Sequence, residues 1–137
     1  MLKKLFSLVV ATIILFSVSV INSKPVFYGY AKTFEVYIGD NSSNAKIVSV
    51  SKKDFFLMSN ICGQAFIADK ETFDLNGFLK EFGAKIICVE KIKEGVSYYA
   101  YSPKIKYKNM LSGKPVNLQI FIGETVKVGS PMIYGSF

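Results

Sequence analysis

From residue 27 onward the chain alternates runs of period-two hydrophobicity with two short stretches of helical spacing. In residues 27–38, Phe34, Val36 and Ile38 oppose Glu35 and Tyr37, the pattern of a half-buried strand. The polar cluster 39–44 (Gly39-Asp40-Asn41-Ser42-Ser43-Asn44) turns the chain. Residues 46–50 alternate again, so the two runs predict a hairpin. Ser51 is placed to cap a short helix, with Asp54 in its first turn and residues 55–58 (Phe-Phe-Leu-Met) as its buried side. Residues 64–68 read as a strand. A second helix is predicted over 74–82, with Asp74 as its cap, Phe73 and Phe78 as a hydrophobic staple and Gly83 as its stop; Leu75, Phe78, Leu79 and Phe82 form its apolar stripe.

The remainder reads as strand. Residues 84–92 and 96–101 flank the turn Lys93-Glu94-Gly95, and Ser102-Pro103 breaks the second run. A short polar strand is expected at 104–108 and a turn at 112–115. Residues 116–122 carry Val116, Leu118, Ile120 and Ile122 on one side. Gly123-Glu124 then leads into a last strand over 125–134, bent at Gly129-Ser130-Pro131. The pattern predicts an α+β fold: a mainly antiparallel sheet with two short helices packed on one face.

The first 23 residues follow another rule. Lys3 and Lys4 precede an uncharged run, residues 5–21, broken only by Thr12, Ser17 and Ser19. A basic start followed by an apolar core reads as a signal peptide cut after Ser19 or Ser23; uncleaved, it is an N-terminal membrane anchor making contact through residues 5–21. No cysteine lies near its end, which argues against a lipoprotein. Residues 24–137 form a single domain, long enough to bury about 65% of its unfolded surface.

Composition narrows the chemistry. The 137 residues include 17 basic ones, all lysine, 10 acidic ones, no histidine and no tryptophan, for a net charge of +7. Without histidine there is no Ser-His-Asp triad, no Cys-His pair and no His-ligated metal; without arginine there is no arginine finger. Removing Lys3 and Lys4 leaves a charge of +5, which favours anionic surfaces.

Four groups of residues could carry function. Cys62 and Cys88 both sit among apolar residues and read first as buried free thiols. Alternatively they form a disulfide closing a loop of about 26 residues, worth roughly 3 kcal/mol. Asp69, Glu71 and Asp74 suggest a cation or acid/base site, but turn and cap chemistry explains them. Asp40, Asn41, Ser42 and Asn44 lack the spacing of a calcium loop, and Asn41-Ser42-Ser43 is a glycosylation sequon. Tyr99, Tyr101, Lys104, Lys106 and Lys108 interleave aromatics with cations. Such a stripe holds a polyanion or protects an edge strand. No metal site, cofactor site or catalytic residue is expected, and nucleic acid is a poor partner for a chain without arginine.

The second half, residues 73–137, resembles the YwmB-like exported proteins of spore-forming Gram-positive bacteria. The likeness rests on residues 78–87 (Phe-Leu-Lys-Glu-Phe-Gly-Ala-Lys-Ile-Ile), on Asn117-Leu118-Gln119-Ile120 and on residues 126–133 (Val-Lys-Val-Gly-Ser-Pro-Met-Ile). It implies a sheet and helices like the TATA-box-binding-protein fold, export, and no established catalytic site. The expected function is that of a small non-enzymatic cell-envelope protein acting through protein or surface contacts. It would be secreted or anchored at the extracytoplasmic face. The alternatives are a basic module for anionic wall polymer or a membrane surface, and a thiol or redox protein.

Overall fold

The computed structural model describes residues 1–22, 25–40 and 44–134, leaving out the side chains of residues 17–22. The turn residues Asn41, Ser42 and Ser43, the junction at Ser23 and the C-terminal Gly135 lie outside the described residues. The elements run α1 (Leu2–Asn22), β1 (Thr33–Ile38), β2 (Lys46–Ser51), a single 3-10 turn (Phe55–Leu57), β3 (Ile61–Ala68) and α2 (Leu75–Phe82). They continue with β4 (Lys85–Ile92), β5 (Gly95–Tyr101), β6 (Asn109–Leu111), β7 (Lys114–Val116), β8 (Leu118–Ile122) and β9 (Val126–Ser130). Seven strands form one antiparallel sheet in the order β2-β1-β3-β9-β8-β5-β4, and β6 and β7 make a small separate hairpin. The fold class is α+β.

Strand register assigns the faces. Phe34 and Val36 of β1, Phe66 of β3, Val126 and Val128 of β9, and Leu118 and Ile120 of β8 fall on one face. All are buried. Onto this face dock α2, the 3-10 turn, the segment 25–31 and the crossing loop 102–108. An eight-residue helix is not stable alone and needs its stripe buried. Phe78 supplies this, with its ring 6.3 Å from Phe66 and 5.4 Å from Phe73, so the expected staple forms. Asp74 occupies the N-cap position without a side-chain cap bond. Gly83 ends the helix at φ 57, the left-handed region that glycine enters without strain, while Ala84 N–H donates to the Leu79 carbonyl at 2.8 Å.

The structure departs from the pattern in four places. Residues 27–31 turn instead of extending, because Phe27 inserts between Phe66, Phe78 and Phe82 at centroid distances of 5.0, 6.2 and 5.9 Å. The helix expected after Ser51 shrinks to one 3-10 turn that buries Phe55 alone and leaves Phe56 and Leu57 exposed. Residues 104–108 form no strand. Their backbone follows Ile105 into the core and is held by Asn117, whose side-chain amide donates to the Ser102 and Ile105 carbonyls and accepts from Ser102 N–H. The last strand stops at Ser130, before the cis Ser130–Pro131 bond, and residues 131–134 fold over the second face.

Every residue of β9 is buried, Val126 and Val128 on the first face and Gly129 beneath that tail on the second. Gly129 faces the tail without a side chain; a Cβ there would lie 2.7 Å from Ile133 Cγ1. Ile133 N–H donates to Gln119 Oε1 at 2.9 Å, and Tyr134 packs on the Tyr37 ring at 4.5 Å.

These packings predict a sharp contrast between two phenylalanines. Phe66→Ala removes a ring from the centre of the aromatic cluster and should cost about 3–5 kcal/mol in urea unfolding. Phe56→Ala, at an exposed position, should change stability by less than about 0.5 kcal/mol.

Candidate functional site

The sequence-derived binding residues occupy different surfaces. Tyr99 lies on the second face of the sheet, buried opposite Gln119 and Cys88, and donates its hydroxyl to the Glu90 carboxylate at 3.0 Å. Burial and Glu90 push its phenol above the ordinary range. Tyr101 ends β5 opposite Lys85, half-buried. The loop bearing Lys104, Lys106 and Lys108 instead packs toward the first face, through Ile105 in the core and Tyr107, whose hydroxyl lies 3.4 Å from Gln64 Nε2. The lysines therefore point outward as their alternation implied, but the two tyrosines are not brought to them. Lys104 Nζ donates to the Glu81 carbonyl at 2.6 Å, at the C-terminal end of α2, where a cation meets the negative end of the helix dipole. Lys106 Nζ lies 5.9 Å from the Tyr107 ring centroid, and Lys108 is exposed.

The cysteines are free. Cys62 is on β3 and Cys88 on β4, with β9, β8 and β5 between them. Four strand spacings make about 19 Å. A disulfide needs Cα atoms within about 7 Å. The pair is therefore not a disulfide within one chain. Cys88 is also not the buried hydrophobe its neighbours suggested: it lies exposed on an edge strand. Cys62 is half-buried, its thiol donating to the Tyr37 carbonyl at 3.3 Å, and burial raises its pKa.

The acidic residues do local work. Asp69 accepts from Glu71 N–H at 2.9 Å, and the Asp74 carboxylate sits over Gly77. Among the described residues, no three Cys, Asp or Glu side chains gather as a metal site.

A cleft of about 420 Å³ runs beside α2, lined by Tyr30, Phe66, Phe73 and Phe78 with Asp74 and Glu81 at its rim. Tyr30 donates its hydroxyl to the Glu81 carboxylate. Burial, then that hydrogen bond and the carboxylate charge, drive the phenol far above its usual range, so it stays protonated. Asp74 and Glu81 are separated by about 10 Å of helix rise, too far to share a proton. The cleft offers aromatic contact area and two carboxylates, without a nucleophile and base in contact.

A second polar cluster lies under the C-terminal tail. Lys127 on β9 reaches diagonally across Ala65 of β3 to Glu35 on β1, with Nζ to Oε2 2.8 Å. Gln119 bridges Ser97 and the Ile133 backbone. Buried Tyr37 stands nearby, its phenol pushed up by desolvation. Alternation in the strands assigned Glu35 and Tyr37 to this face. Nothing in the pattern marked it as covered, because the cover comes from residues expected to continue as strand.

The exposures predict an ordering of thiol reactivity. Native protein treated with iodoacetamide at pH 8 should label at Cys88 first and at Cys62 slowly, since a raised pKa leaves less thiolate. Peptide mapping reads the order. Equal labelling, or an intact mass about 2 Da low, would contradict the strand order.

No family model, no curated protein and no solved structure matches this chain.

Proposed function

We propose that the chain is a small exported protein of the cell envelope that acts through contacts and not through catalysis. One observation carries this reading. α1 is an apolar helix with Lys3 and Lys4 at its start, and its large apolar side chains through Phe16 are exposed, with Leu5 61%, Phe6 72% and Phe16 70% accessible. An apolar helix that its own domain does not bury needs another apolar environment, which an export channel or a bilayer provides. Among the described residues, no helix is long and apolar enough to cross a membrane, the side chains of 17–22 being outside that set. The likeness of residues 78–87, 117–120 and 126–133 to the YwmB-like exported proteins points the same way, and a chain without histidine has few routes to acid/base or nucleophilic catalysis at neutral pH.

Intact mass after cell fractionation tests the reading. In a bacterial host, the expected species is either a chain shortened by 19 or 23 residues in the medium or a full-length chain in the membrane fraction. Full-length protein confined to the cytosol would overturn it.

The outward lysines of the crossing loop favour a second reading, a module for anionic polymer. Lys104 is engaged at the end of α2, so Lys106 and Lys108 are the informative pair. The double variant Lys106→Gln/Lys108→Gln should elute from phosphocellulose at lower salt than the parent. A shift no larger than that of Lys85→Gln/Lys91→Gln, which removes the same charge from edge strand β4, would remove this reading.

A further inference from the structure

We propose that the surface formed by Tyr28, Lys32, Lys52, Lys53, Phe56 and Leu57 rests on an anionic lipid bilayer, with Phe56 and Leu57 dipping into the headgroup layer. The inference rests on the envelope reading above and assigns the domain an orientation there.

The 3-10 turn is built to present these two side chains. Phe55 is its anchor, buried to 3% exposure with its ring 6.4 Å from Phe34. The turn closes through Asp54 N–H to the Ser51 carbonyl at 3.2 Å, Leu57 N–H to the Asp54 carbonyl at 3.0 Å and Met58 N–H to the Phe55 carbonyl at 3.1 Å. With Phe55 fixed inward, Phe56 and Leu57 project outward, 55% and 69% exposed. Two adjacent large apolar side chains held into solvent are unfavourable in water and suited to an interface.

Their surroundings match an anionic surface. Lys52 and Lys53 immediately precede the turn, and Lys52 N–H donates to the Lys32 carbonyl at 3.1 Å, bringing a third lysine alongside. The nearest acid, Asp54, accepts from the Ser51 hydroxyl at 2.8 Å. Lys52 Nζ lies 4.5 Å over the ring of Tyr28, which is 48% exposed, and tyrosine is enriched at the headgroup level of bilayers. Lysines beside a bilayer each gain attraction from anionic lipid. The chain also limits the distance: Asn22, the last residue of α1, is six residues before Tyr28, which holds the Tyr28 end of this surface within about 20 Å of that helix end. A bilayer that takes up α1 therefore lies within reach of the patch.

The chain has no tryptophan, so single probes report cleanly. Full-length Phe56→Trp, Leu57→Trp and Ile67→Trp are mixed with vesicles of 3:1 phosphatidylcholine and phosphatidylglycerol. Ile67 is 58% exposed on the opposite face of the sheet and serves as the control. All three chains should sediment with the vesicles. Emission from Trp at 56 and 57 should shift to the blue and be quenched by acyl-brominated lipid; Trp at 67 should do neither. Quenching at 56 should fall when phosphatidylglycerol is omitted or in 1 M salt, where the screening length drops to about 3 Å. Sedimentation without quenching at 56 and 57, as expected if the patch binds a protein instead, overturns this inference and leaves the envelope reading standing. Equal quenching at 67 also overturns it. Failure to sediment likewise overturns this inference, while the envelope reading, which a shortened chain in the medium also satisfies, is decided by the fractionation above.

Discussion

The arrangement depends on a cluster of five rings, Phe27, Tyr30, Phe66, Phe78 and Phe82, with nearest centroids 4.7–6.3 Å apart. It joins three parts of the chain that have little stability of their own: the turn after the N-terminal helix, the central strand β3 and the eight-residue α2. Aromatic side chains bury more area than other residues and gain further from tilted contacts. Phe27 holds the junction segment on the sheet together with Tyr30 and with Val26 N–H, which donates to Gln64 Oε1 at 2.7 Å, and Phe78 buries the stripe that an eight-residue helix needs. The position of Phe27 also brings Tyr28 beside Lys52.

The two faces of the sheet are covered by different means. The first is closed by rings and aliphatic side chains, with Asn117 satisfying the backbone of the loop that crosses beneath it. The second is covered in its middle by tail residues over Gly129, Gln119 and Tyr37, and it carries a polar set in which Lys127 and Glu35 are paired. A largely buried ion pair is weak evidence for stability, since desolvation offsets much of the attraction. Its clearer consequence is register: Glu35 and Lys127 meet across Ala65 only in the observed alignment of β1, β3 and β9.

The candidate sites follow from the same geometry. Period two placed Lys104, Lys106 and Lys108 on one side, and they do face outward, although the backbone there is a loop. It could not show that Tyr99 and Tyr101 of β5 would fall on the other face of the sheet. Nor could spacing along the chain show that Cys62 and Cys88 stand four strands apart, because that distance is set by the sheet order and not by the 25 residues between them. The outward pair Phe56-Leu57 belongs to the stretch whose apolar run predicts a buried helical side; only Phe55 meets the sheet, against Phe34, and the single 3-10 turn leaves the next two side chains outside.

The sequence by itself determined the elements whose signal is local. These are the β1–β2 and β4–β5 hairpins, α2 with its staple and glycine stop, the β8–β9 turn and the apolar N-terminal helix, each specified by alternation, capping or turn residues within a few positions. It also excluded histidine and arginine chemistry outright. The tertiary structure alone decided the order of the seven strands, the fate of residues 25–31 and 131–134, the separation of the cysteines and the exposure of Phe56 and Leu57. Each of these depends on which distant residue supplies the covering surface, and that information lies in packing between segments far apart in the chain.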